Sequence, residues 1–204
     1  MESILIALLS TVVGAVLGGL ISHRLTMKLF RIRAKSLLDG FYNELEISRN
    51  YLTSWLDNLL DEYRLPKRGR ITELPSMDMS CIDSLTTELI AAGTVLSKDH
   101  RRLILSLKTK YKSIQVFSQN RSDKSNFNDV TGVFNVKKQH TAHLVLEVVE
   151  IMFYLSQITK DRDAFTMESC EEWQNKPIQF LNMLGVKIEN SEWEEIKRSR
   201  FENS

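Results

Sequence analysis

Helix breakers are scarce in this chain. Its 204 residues include only 3 Pro and 8 Gly, too few to punctuate the many short strands and tight turns of a β-sandwich or barrel. Cysteine is scarcer still. Cys81 and Cys170 are the two; they stand far apart and in no metal-ligand spacing, which excludes a disulfide scaffold and a cysteine-built zinc site. Both are expected as reduced, partly buried thiols. Neither sign of charge is in excess. With 27 Lys and Arg against 26 Asp and Glu the net charge is +1, which sets no bias toward nucleic acid or an acidic substrate. Catalytic signatures are also missing: there is no G-x-x-x-x-G-K-[ST], no G-x-S-x-G and no H-E-x-x-H, so the sequence carries no P-loop, nucleophile elbow or zincin motif.

One stretch lacks ionisable side chains altogether. Residues 3–22 read SILIALLSTVVGAVLGGLIS. A helix of that length is about 30 Å long, the thickness of a bilayer's hydrocarbon core. A soluble core helix would carry a polar stripe, and this one has none. A cleaved signal peptide opens with a basic region, whereas Met1-Glu2 is the whole flank here, and no A-x-A-like site closes the segment. The expectation is an uncleaved single span. Arg24, Lys28, Arg31, Arg33 and Lys35 follow it and nothing basic precedes it. The positive-inside rule then predicts a bacterial inner-membrane protein with its N-terminus out and its C-terminal region in the cytoplasm.

Within the span Ser10, Gly14, Gly18 and Ser22 recur every fourth residue. Small residues at that spacing let two helix backbones approach closely and favour a homodimer. Beyond the span, Arg24, Lys28, Arg31 and Lys35 share one helical face, placed to meet anionic lipid headgroups. Residues 23–64 contain no Pro and only Gly40, so the helix is expected to continue as an amphipathic stalk, with a bend plausible at Gly40. Leu38, Tyr42, Leu45, Leu52, Leu56, Leu59 and Tyr63 form its core-facing stripe.

The remainder, 65–204, is read as a cytosolic bundle packing on the stalk. LPKRGRITELP marks a loop through about residue 79. Ser80 and Asp83 suggest a capping box for a helix over 81–92, closed by Gly93. Ser97 is placed to cap a helix over about 98–120, with Leu103, Leu107, Tyr111, Ile114 and Phe117 on its apolar side. NRSDKSNFNDVTG is polar and turn-rich and predicts a mobile loop. A helix over about 133–160 follows, with Leu144, Val148, Ile151, Met152, Leu155 and Ile158 inside. Its centre, LVLEVVEIMFYL, is short for a span and holds Glu147 and Glu150, so a buried soluble helix is expected. A shorter helical region over about 167–184 contains Pro177. Ser191 and Glu194 form a second capping box, opening a helix over about 192–201. Tyr42, Trp55, Tyr63, Trp173 and Trp193 are expected in the packing. No stretch alternates long enough to demand a sheet. The fold class is all-α: an anchor over 1–22, a stalk over 23–64 and a bundle of about four to five helices.

The best candidate for chemistry is HTAHLVLE. His140, His143 and Glu147 sit at i, i+3 and i+7 and share one helix face. Such groups bind metal in helical bundles only when other helices supply matching carboxylates. Cys170 is followed by Glu171 and Glu172, whose charges oppose thiolate formation. No cofactor and no nucleic-acid partner is expected.

Two passages together carry a resemblance. LLDGFYNELEISRNYL and LTTELIAAGTVLSKDHRRLILSLKTKYKSI are similar to a stalk and a following helix pair in small, uncharacterised bacterial membrane proteins with one N-terminal span and a helical cytosolic region. The resemblance implies an all-α fold and an inner-membrane address. It implies no activity and no site residue. Some anchored helical proteins of this general kind belong to prophages or phage-defence loci.

Three functions compete on this basis. The first is a membrane-tethered, non-enzymatic interaction or scaffold protein with membrane lipid and an unidentified protein as partners. The second is a membrane effector acting through self-association of the span. The third is a metal-dependent enzyme using His140, His143 and Glu147.

Overall fold

In the computed structural model the described residues are 2–71, 73–74, 79–92 and 96–199, and their side chains are described except for 2–12 and 171–174. The fold is predominantly helical. Helix α1 spans Glu2–Arg64 without a break and passes through Gly40 as regular α-helix. After it come β1 (Lys67–Arg68), α2 (Met79–Ala91), α3 (Lys98–Asp123), β2 (Asn126–Asn128), β3 (Val133–Asn135), α4 (Lys138–Asp161), α5 (Pro177–Met183) and α6 (Asn190–Ser199). Two 3-10 segments, Arg162–Ala164 and Met167–Gln174, join α4 to α5.

Burial divides α1 in two. Every residue from Val13 to Arg33 is exposed, and the first buried side chain among the described ones is Phe41. From there Tyr42, Leu45, Leu52, Leu56, Leu59 and Tyr63 are buried along one face, with Leu38 packed at its edge. That face meets α4, whose Leu144, Val148, Ile151, Met152, Leu155 and Ile158 are all buried. Helices α3, α5 and α6 lean on α4, and α2 lies along α1. Trp55 and Trp193 are in the core; the side chain of Trp173 lies outside the described ones.

Several local expectations need correction. The stretch read as a mobile loop is a β-hairpin. Phe127 pairs with Phe134, ring centroids 4.6 Å apart, and β3 also pairs with β1 to give a three-stranded antiparallel sheet in the order β1-β3-β2. Asn128 makes the turn: its side-chain oxygen accepts the amides of Val130 and Thr131 at 3.0 and 3.1 Å, and Gly132 closes it at φ +65°, where a side chain would be strained. With Val133–Asn135 committed to the sheet, α4 starts at Lys138 rather than near Val133. The segment after α1 is likewise not all loop, because Lys67 and Arg68 supply β1.

The two expected capping boxes do not open their helices. Ser80 and Asp83 lie inside α2, and Ser191 lies inside α6. Gly93 and Phe201 lie outside the described residues. Ser97 does cap α3, accepting the His100 amide at 3.1 Å, and α3 runs on to Asp123. The region over 167–184 is a 3-10 segment followed by α5, with Pro177 in its first turn, where proline's missing N–H costs nothing.

Candidate functional site

Three places concentrate unusual chemistry. The first is the projecting half of α1. Val13, Val16, Leu17, Leu20, Ile21, Leu25, Leu29, Phe30 and Ile32 each leave more than half of their surface uncovered. Contiguous apolar exposure on that scale marks a surface that meets a membrane or a partner. Arg24, Lys28, Arg31, Arg33 and Lys35 are exposed in the same stretch; Arg33 approaches Glu88 of α2 at 3.8 Å. A β-carbon added at Gly14 or Gly18 would meet nothing within 4 Å, so that face is open. Ser22 is exposed beside it, and the side chain of Ser10 lies outside the described ones.

Among the residues whose side chains are described, which leaves out the first part of α1, one helical segment is long and apolar enough by composition to cross a bilayer: Lys138–Ala164, α4 and the turn after it, with mean hydropathy 1.3, but 61% of that apolar window is buried inside the protein. The core helix of a soluble body has the same composition.

The second place is a polar network on the inner face of α1. The Tyr42 hydroxyl donates to Asp163 Oδ1 at 3.1 Å and lies 3.2 Å from His100 Nε2. His100 Nδ1 is 2.6 Å from Ser97 Oγ. Arg162 brings Asp163 into place: at the end of α4 it takes φ +46°, sets its guanidinium 5.4 Å from the Tyr42 ring centroid and approaches Asp39 at 3.8 Å. Burial is the main reason the Tyr42 hydroxyl titrates above its ordinary value, with the Asp163 charge adding to it. Burial also holds His100 below its ordinary value, against the opposing pull of Asp163. No protein-family model, curated protein or solved structure matches this chain.

The third place is the buried ion pair of Glu62 and Arg121. Arg121 Nη1 donates to Glu62 Oε1 at 2.7 Å, and both side chains are wholly excluded from solvent. Thr141 donates to the same carboxylate oxygen at 2.9 Å. This group ties α1, α3 and α4 together.

The candidate metal residues have other occupations. His143 stacks on Phe117 with ring centroids 5.5 Å apart. Glu147 faces Lys110 at 3.6 Å, and Glu150 faces the same amine at 2.7 Å. His140 is held below its ordinary pKa, first by burial and then by Lys124, Lys137 and His143. Among the described residues no group of three or more His, Cys, Asp or Glu is arranged to hold a metal ion. Cys170 is buried, and burial before all else pushes its thiol up to about 12.

Sequence reasoning missed both polar networks. Their members lie 58, 59, 79 and 121 positions apart. The only local signal was an arginine on the apolar side of α3, at i+7 from Ile114.

Proposed function

We propose that this chain is a membrane-tethered, non-enzymatic interaction protein at the cytoplasmic face of a bacterial inner membrane. Residues 1–22 serve as a single-pass anchor, 23–64 as the stalk, and 65–204 as a cytosolic helical bundle packed on it. The observation that carries the reading is the division of α1, whose described residues are all exposed from Val13 to Arg33 and which enters the core from Phe41 onward. Fully burying an exposed Val, Leu, Ile or Phe side chain is worth about 1.5–3 kcal/mol, so the uncovered row gains strongly from lipid. Arg24, Lys28, Arg31, Arg33 and Lys35 then sit on the cytoplasmic flank, the orientation favoured by the positive-inside rule. The test is fractionation with protease protection. Full-length protein should stay in the membrane after alkaline carbonate washing, and a C-terminal tag should resist protease added to spheroplasts. Recovery in the soluble fraction, or digestion of the tag from outside, would refute the anchor or its orientation.

A second reading is supported by the open face at Gly14 and Gly18: a membrane effector that works through association of its spans. Overexpression should then lower the membrane potential, and Gly14→Ile with Gly18→Ile should abolish the effect at unchanged expression. An unaltered potential removes this reading and leaves the tether.

A further inference from the structure

A cavity of about 470 Å³ lies between α1 and the segment that follows it, lined by Tyr51, Trp55 and Asn58 on the helix and by Arg68, Arg70 and Glu73 across from them. The helical residues share one face at i, i+4 and i+7. On the opposite wall Arg68 is held in register by the sheet, and Arg70 and Glu73 follow it outside the strand. Arg68 pairs with Phe134 in the β-ladder, and its Nη1 donates to the Asn58 carbonyl at 3.2 Å. That contact uses one of the five guanidinium N–H donors. Arg70 is exposed and meets no carboxylate among the described residues. Trp55 is only 3% exposed, yet its indole N–H finds no acceptor among the described residues. That nitrogen is itself closed to solvent, so it lies behind the cavity wall and the contacts open to an occupant are those of Tyr51, Asn58, Arg68 and Arg70. Tyr51 offers a ring that is more than half exposed. The Asn58 side chain donates one of its two amide N–H groups to the Ser54 carbonyl, and its side-chain oxygen is an acceptor.

We propose that this cleft binds a nucleotide, with the phosphates on Arg68 and Arg70 and the base against Tyr51. Guanidinium groups take phosphate in bidentate fashion. An exposed aromatic ring stacks on any base. The Asn58 oxygen and the Glu73 carboxylate are acceptors for a ribose hydroxyl or an exocyclic amine, and Glu73 is a local penalty against the most highly charged anions. The volume fits the range of about 300–1,000 Å³ usual for small-molecule sites. Membrane headgroups are a poor source of the same phosphate chemistry, since about 44 Å of helix separates Tyr51 from Ser22 at the end of the span. The exclusion of headgroups rests on the proposed anchor, while the cavity and its side chains do not, so the binding test succeeds or fails independently of the one above.

The experiment is isothermal titration of the full-length protein in detergent with ATP, with GTP and with inorganic phosphate, at constant ionic strength. One nucleotide should bind saturably at one per chain, with inorganic phosphate at least about tenfold weaker. Arg70→Ala, which removes an exposed side chain, should weaken that nucleotide about tenfold, and Tyr51→Ala, which removes the exposed ring, should weaken it several-fold while leaving inorganic phosphate unchanged. No saturable heat from either nucleotide overturns the proposal, and so does binding that Arg70→Ala leaves unchanged. Inorganic phosphate matching the nucleotides overturns the assignment of a base at Tyr51.

Discussion

Glu62 and Arg121 meet at 2.7 Å in the interior, 59 positions apart in the chain and both without solvent contact. The pair joins the stalk to α3, and Thr141 extends it to α4. Taking two charges out of water costs several kcal/mol per ion, and their attraction offsets that only while both remain. Removing one member takes away the counter-ion that the other faces at 2.7 Å. Arg121→Met or Glu62→Leu alone should therefore destabilise the fold by about 3–5 kcal/mol, while the double variant should recover most of the loss. Thr141→Val should cost about 1 kcal/mol. Thermal melts followed by far-UV ellipticity measure all three. Additive losses in the double variant would show that the pair is not coupled.

The core of this fold was legible where it is periodic. The stripe from Leu38 to Tyr63 and that from Leu144 to Ile158 repeat at helical spacing, and burial follows them. Ser97 and Pro177 were legible because capping and first-turn chemistry are local. The sheet was not, since its strands are two or three residues long and the Phe127–Phe134 pair that marks it is too short to register as alternation. The capping boxes at Ser80 and Ser191 misled because the spacing matched while the helices had already begun. In the cavity beside α1, Tyr51 and Trp55 were visible as helix residues, but nothing in the sequence says that Arg68 and Arg70 fold back across from them.

The His100 network predicts an acid limb in stability. Burial depresses the His100 pKa in the folded state, so near pH 6 the unfolded chain binds more protons than the folded one. Stability is then fully present above the ordinary histidine value of about 6.5 and falls as pH drops below it toward the folded value. His140 is shifted in the same direction and adds to the slope. Around His100 stand Asp163 and Asp99, which favour its protonation and soften the effect. Melting temperatures between pH 8 and pH 5 should fall most steeply below about pH 6.5. His100→Gln should flatten that fall, and an unchanged profile would show that His100 takes no part in it.

Gly40 offers a stabilising change. It lies in the interior of α1, where glycine costs roughly 0.5–1 kcal/mol relative to alanine. The helix runs through it without a break, so no bend requires glycine there. An added β-carbon would stand 3.8 Å from Leu85 Cδ2, an ordinary van der Waals contact. Gly40→Ala should raise stability by about 0.5–1 kcal/mol. A lower melting temperature would mean that α2 needs a closer approach to α1 at this point.

Thiol chemistry should separate the two cysteines. Cys170 is buried and its thiol is pushed up to about 12, with Asp161 and Glu150 adding to the effect of burial. Cys81 is half-buried on α2. Alkylation proceeds through the thiolate and needs access, and at pH 8 Cys170 has neither. Iodoacetamide should modify Cys81 in the folded protein and reach Cys170 only after denaturation, with the two sites resolved by peptide mass. Labelling of Cys170 at a rate matching that of Cys81 would show that the 3-10 segment Met167–Gln174, which packs on α4, opens readily from it.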